Sequence, residues 1–236
     1  MPGLPSDDNA GQNGMKRSSN PEILDGNDIP EEVAGRVYRE IAGIHRLLGD
    51  TRCIVQALRH DPLPVQRVLD VGCGYGGILE EVTQALGVEG IGIDIAKPRQ
   101  GRPATCPPIM QADAVRDPLP QADVAFSLHT AHHLCDADLV QMIRNVGRSC
   151  RRFVLLDLVR SRMPLALFKI FIAPFVSRIA AADGQTSVRR AYKPAELNGL
   201  VAEALAGSGA SFRHSVAALN LRQVVDISYG AKDPTS

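Results

Sequence analysis

Apolar positions along the chain follow two rhythms, and the change between them divides it. Val33, Val37, Ile41, Ile44 and Leu48 fall three or four apart, the spacing that lines one face of a helix. Asp28 stands where a cap is needed, and Glu31 three positions later completes a capping-box pattern. Gly49-Asp50 breaks the rhythm, and "TRCIVQALRH" predicts a second short helix stopped by Pro62 and Pro64. From residue 66 onward, short β-rich runs alternate with helical stretches. Strands are predicted at "RVLDVG", "GIGIDI", "PIMQAD", "ADVAFSLH" and "RFVLLDLV". Between them, "GILEEVTQAL" turns Ile78, Leu79, Val82 and Leu86 inward, and a helix capped by Asp136 turns in Leu139, Ile143 and Val146.

That alternation predicts an α/β fold, a Rossmann-like sheet of mostly parallel strands flanked by helices. After an apolar insertion at 160–184, "PAELNGLVAEALAGSG" is a helix ended by glycine. "SFRHSVAAL" and "RQVVDISY" close the chain as an antiparallel hairpin at the sheet. The expected organisation is a disordered tail over 1–27, a helical extension over 28–62 and one catalytic domain over 63–236. The helical extension fits a lid over the glycine-rich turn and plain packing equally well.

Composition narrows the setting. The 236 residues are 44% hydrophobic and 22% charged with zero formal net charge, which gives no support for whole-molecule attraction to nucleic acid or an anionic membrane. Aromatics make up 4% with no tryptophan, which leaves little to stack on nucleobases. A run of arginines from Arg144 to Arg190 reads first as a solvated basic face. Five cysteines without paired spacing suit a reduced, cytoplasmic location. "MPLALFKIFIAPFV" is shorter than the ~20 residues that cross a bilayer, so no integral membrane contact is expected.

The chemistry starts at "VLDVGCGYGG". Glycines directly after a buried strand let backbone approach a ligand and present N–H groups at a helix start. Gly72, Gly74 and Gly77 fit the dinucleotide spacing G-x-G-x-x-G, with Asp94 about 20 residues on. Asp70, Gly72, Gly74 and Gly76 fit the D-x-G-x-G-x-G spacing of S-adenosylmethionine (SAM) enzymes equally well. A carboxylate before the first glycine repels pyrophosphate and attracts the ammonium and sulfonium of SAM, which weighs against an NAD(P)-dependent oxidoreductase. A non-catalytic SAM-binding protein stays open.

Residues 66–158 resemble class I SAM-dependent methyltransferases. The likeness rests on "VLDVGCGYGG", the acidic "GIGID", the "QADA" segment, "LHTAHHL" after strand four and "RFVLLDL" as strand five. That fold has seven strands with an antiparallel last one. "GIHRLLGD" and "DGQTSVRRAYKPAEL" are similar to small-molecule methyltransferases of bacterial secondary metabolism, found beside polyketide synthases and flavin oxygenases. The resemblance implies that Asp70, Gly72 and Gly74 hold the methionine end, Asp94 the ribose, and Asp113 with Ala114 the adenine, with Val71, Cys73, Gly76 and Ile95 also in the cofactor site. Leu128 and His129 complete the expected cofactor site.

Three histidines, His129, His132 and His133, follow strand four at the mouth of this site. Histidine is the natural base for a hydroxyl acceptor at neutral pH. "HHLCD" resembles the "HDWSD" region of plant phenolic O-methyltransferases, which makes His132 or His133 the candidate base. Their crowding with Cys135 suits no metal, because ligands straddling a strand end converge poorly. Phe168, Phe171 and Phe175, with Leu165 and Ile172, fit an apolar acceptor pocket, and core packing, a dimer interface or a membrane-surface patch fit the insertion equally well; Arg189 and Arg190 fall near the mouth, where one is placed to steer an acidic substrate. The expected acceptor is a small, largely apolar, aromatic or polyketide-like molecule methylated at oxygen or carbon, with no nucleic-acid partner.

Overall fold

The computed structural model describes residues 15–26, 29–98 and 105–230. Seven strands, β1 (Arg67–Val71), β2 (Glu89–Asp94), β3 (Ile109–Gln111), β4 (Val124–Leu128), β5 (Arg152–Leu158), β6 (Ser211–Val216) and β7 (Arg222–Ser228), form one sheet in the order 3-2-1-4-5-7-6. β7 runs antiparallel to both β5 and β6, while the β3-β2-β1-β4-β5 pairings are all parallel. The expected sheet, with its closing hairpin, is the one found.

Helices α3 (Gly77–Leu86), α4 (Asp136–Ser149) and α7 (Pro194–Leu205) link the strands, and α2 (Asp50–Arg59) packs on α3. Two apolar layers result. Leu69, Ala125, Phe153 and Val225 meet α4 and α7, whereas Val68, Phe126, Val154 and Leu156 meet α2 and α3. Neighbouring residues of one strand thus serve opposite faces.

Several expectations change in detail. Helix α1 (Glu31–Leu48) is capped by Pro30, and Asp28 lies outside the described residues. α1 buries only Ala34 and Val37, so most of its apolar stripe stays partly wet. Asp136 is the first residue of α4 rather than its cap, a place taken by Cys135. The arginine run is largely engaged rather than solvated. Arg152 holds Asp226 with two bonds of 2.8 Å, Arg160 is buried against Glu196, and Arg151 pairs with Asp61.

Two differences bear on function. Residues 15–26, placed in the expected tail, run over α6 (Arg178–Arg190) and include a single 3-10 turn, Ile23–Asp25. Buried Asp183 of α6 accepts the N–H groups of Ile23 and Leu24 at 2.7 and 3.0 Å. Arg17 donates to Arg190 O, Leu134 O and the Asp136 carboxylate, with its guanidinium 3.7 Å from the Tyr192 ring centroid. The apolar insertion is also not buried as a whole. Helix α5 (Arg162–Phe171) seats Pro164 and part of Phe168 but leaves Phe171 64% and Phe175 83% exposed.

Candidate active site

Strand order reverses between β1 and β4, and a ligand of such a sheet sits beyond the carboxyl ends of those strands. β1 delivers Asp70 there, 2% exposed, directly before the glycine turn. Gly72 has φ 77°, and a Cβ on it would lie 2.4 Å from Thr130 Oγ1. Gly74, at φ 52°, passes beneath the Tyr38 ring of α1, and Tyr38 contacts Tyr75 with ring centroids 4.1 Å apart. The turn is tied down by Ile93 O, which accepts from Gly72 N and Cys73 N at 2.9 and 3.0 Å.

Burial drives the Asp70 carboxyl well above the usual carboxylate range, and the charge of Asp94 adds to the shift. A buried acid so placed fits a cationic ligand group. Asp94, at the end of β2, accepts Gly74 N–H at 2.7 Å on one oxygen and Ala96 N–H at 2.9 Å on the other. Asp113, after β3, accepts Val115 N–H and pairs with Arg116 at 2.8 Å. Val71 is fully buried and offers only its carbonyl, which takes the Ser127 hydroxyl, while Ile95 beside Asp94 is exposed.

Past β4, imidazoles and carboxylates alternate. His129 adopts φ 56°, a conformation disfavoured for a residue with a side chain. Its Nε2 lies 3.1 Å from Asp50 Oδ2, and its ring stacks on His45 with centroids 4.5 Å apart. Asp50 also meets His45 Nδ1 at 3.1 Å and Arg222 at 2.6 Å. Burial opposes charge on both stacked rings. Asp157 and Asp50 overcome it for His129, whose pKa is raised, whereas His45 is lowered by burial and by the neighbouring His129 charge.

His132, 3% exposed, is held at Nδ1 by Asp157 Oδ1 at 2.7 Å, while the second Asp157 oxygen accepts His132 N–H at 2.8 Å. Its Nε2 faces Glu22 Oε1 at 3.3 Å. Burial would lower its pKa, but Asp157 and Glu22 push it up to about 9. His133 is less buried and lies 3.3 Å from Asp25. Glu22 also accepts the Ser187 hydroxyl at 2.7 Å, and Arg190 reaches His132 O, His133 O and Asp25.

The structure therefore gathers Asp70, the glycine turn and Asp94 at one end of the site, and His132 with Asp157 at the other. His129 is engaged by α1 and α2, and Arg189 bonds Gln185 O on its own helix. Phe171 and Phe175 are too exposed to enclose a chamber, leaving Phe168 as the half-buried member of that set. Sequence reasoning missed Glu22, Asp25, His45, Asp50 and Asp157 as site residues. Asp157 carried a usable signal, an acid ending an apolar strand as Asp70 and Asp94 do. The histidines do not converge as one set with Cys135. Two mixed sets do gather ligand atoms within 4.8 Å, Glu22–His132–His133 and His45–Asp50–His129. In each the carboxylate is already engaged, by Ser187 and by Arg222 respectively. A depression of about 600 Å³ lined by Arg67, Glu89, Cys106 and Gln121 lies at the amino ends of β1 and β2, away from these groups.

The family described as a methyltransferase domain matches residues 68–152, from β1 to the start of β5. Over those residues the chain carries a methyltransferase domain. Among solved structures, the plantazolicin methyltransferase BpumL in complex with SAH is 10% identical with a TM-score of 0.64, over 87% of this chain and 92% of that one. Human N-acetylserotonin methyltransferase in complex with SAM is 15% identical with a TM-score of 0.59, over 83% of this chain and 56% of that one. Magnesium protoporphyrin IX methyltransferase from Synechocystis PCC 6803 with bound SAH is 19% identical with a TM-score of 0.51, over 87% and 90%. No curated protein sequence matches the chain. The oxidoreductase reading of the glycine turn falls with the family match.

Proposed function

We propose that this methyltransferase moves the methyl group of SAM to a hydroxyl oxygen of a small, largely apolar acceptor, and that His132 takes the hydroxyl proton. The observation that carries the proposal is the His132–Asp157 pair, a buried imidazole whose Nδ1 is fixed by a buried carboxylate at 2.7 Å. A base oriented in this way favours oxygen as the target, since the proton must leave as the new bond forms.

SAM suits the residues present. Asp70 takes the ammonium of the methionyl end, beside Gly72, Cys73 and Gly74; Asp94 takes the ribose hydroxyls, and Asp113 with Ala114 borders the adenine. Tyr38 of α1, lying on Gly74, covers the turn as a lid. When bound, SAM supplies an electrophilic methyl on a sulfonium, and the chain aligns the acceptor oxygen with it, a positioning effect of up to ~7–11 kcal/mol.

Glu22 sets the timing. While it faces Nε2, His132 sits at about 9 and keeps its proton at neutral pH. An acceptor hydroxyl that takes the place of Glu22 removes one of two carboxylates, lowers the imidazole pKa and turns His132 into a base.

The test is release of S-adenosylhomocysteine with a panel of phenolic and polyketide acceptors, followed as kcat/KM against pH. That ratio reports groups of the free enzyme. A base must be unprotonated, so the wild-type profile rises with pH through about 9. In Glu22→Gln the rise moves to lower pH. Full turnover by His132→Asn, or a flat profile, removes His132 from the role.

A further inference from the structure

Helix α5 is apolar on two opposite sides, and only one has a partner. On the inner side Pro164 is buried and the Phe168 ring packs on Gly184 of α6, so closely that a Cβ there would lie 2.2 Å from Phe168 Cζ. On the outer side Met163, Ala166 and Ile170 follow one another at i, i+3 and i+7, one stripe of a helix, with Met163 49% and Ile170 62% exposed. Exposed Phe171 ends the helix and exposed Phe175 follows it, and the turn carrying exposed Leu219 packs against the same helix.

Along this stretch of the chain the charges have one sign, and Glu40 of α1 accepts Ser177 N–H at 2.9 Å beside it. Between Asp157 and Asp183 the chain has no acid and four cations, Arg160, Arg162, Lys169 and Arg178. Arg160 is buried against Glu196, and the other three are exposed. Arg162 and Lys169, seven positions apart, share the edge of the outer stripe, and Arg178 opens α6 three residues after Phe175.

We propose that this surface docks peripherally on an anionic lipid bilayer, with Ile170, Phe171 and Phe175 entering the headgroup boundary and Arg162, Lys169 and Arg178 meeting lipid phosphates. An interfacial helix needs this pairing of an apolar wedge with cations at its rim, and cations near such a surface are drawn to its negative potential. α5 has ten residues, about 15 Å of helix, so it lies on the bilayer, and no described helix is long and apolar enough to cross one. A two-fold pairing with a second copy would bring two surfaces with the same cationic rim together. The docking goes beyond methyl transfer and does not depend on which acceptor is used.

Flotation of the full chain with phosphatidylcholine vesicles, with and without phosphatidylglycerol, tests it. The chain is expected to float with the anionic vesicles and to be released by salt. Ile170→Ser/Phe175→Ser and Lys169→Glu/Arg178→Glu each weaken this binding by at least ~10-fold, with Tm unchanged because all four positions are exposed. The inference is overturned if the chain floats with neither vesicle, if Ile170→Ser/Phe175→Ser binds like wild type, or if light scattering shows a dimer that this double variant dissolves.

Discussion

Asp70 concentrates the electrostatics of the cofactor end. Its carboxyl is buried and the charge of neighbouring Asp94 raises it further, so binding the ammonium of SAM should draw its pKa down and release a proton. Calorimetry of SAM binding in buffers of different ionisation enthalpy measures that release directly. Asp70→Asn keeps the shape and removes the charge. A charge-assisted hydrogen bond contributes ~1.5–3 kcal/mol, so the variant should lose roughly 10- to 100-fold in SAM affinity and all of the coupled proton release. Equal affinity and equal proton release in both proteins would place the ammonium elsewhere. The glycine turn and the acids that end β1, β2 and β3 were legible in the sequence because each obeys a local rule, a buried strand followed at once by a polar requirement. The Glu22–His132 contact was not legible. Its partners lie far apart in the chain and meet where both segments pack on α6.

At the scale of elements, the first helix pair and the insertion show where pattern reading succeeds and where it stops. The 3.6-residue rhythm located α1, α2 and α3 because burial on one side produces that rhythm. The rhythm cannot say what covers a second apolar side, so the sequence leaves the insertion open between lid, interface and membrane-surface patch, and α5 keeps an exposed stripe. Residues 15–26 escaped for the opposite reason. They are held by Arg17, by the Asp183 carboxylate and by Glu22, which are polar contacts without periodicity. The inner side of α5 supports a sharp prediction. Gly184→Ala places a methyl into the Phe168 ring, and overpacking of this kind costs ~1–3 kcal/mol. Denaturant unfolding should show that loss in the wild-type background, and much less of it when Phe168 is already Ala. Additive losses in that double-mutant cycle would mean that the two residues do not share the contact.

Across the whole molecule, the chain of imidazoles and carboxylates joins four regions: the 15–26 segment, α1–α2, the β4–α4 connection and β5. Its ion pairs make folding depend on pH from two directions. His132 is raised from 6.5 to about 9, so its contribution is complete below pH 6.5 and is lost as pH rises through about 9. Asp157, Asp50, Glu22 and Asp25 are all lowered from ordinary values of 3.8 to 4.5. Burial opposes each of those shifts and the histidines beside them overcome it, so their contribution is complete above that range and disappears as acid protonates them. The two slopes describe the same pairs from each side and leave a stability plateau between about 4.5 and 6.5. Thermal unfolding across pH should show Tm falling from this plateau as pH climbs toward 9. In His132→Asn the alkaline fall should flatten while the fall in acid persists through Asp50. Because Glu22 is the only one of these carboxylates that faces Nε2 of His132, Glu22→Gln should also bring the alkaline fall to lower pH. Hydrogen exchange in residues 15–26 should rise across the same interval, linking release of that segment to the deprotonation that frees His132 for the acceptor. An alkaline slope unchanged in both variants would show that the network, although continuous in space, does not couple the segment to the fold.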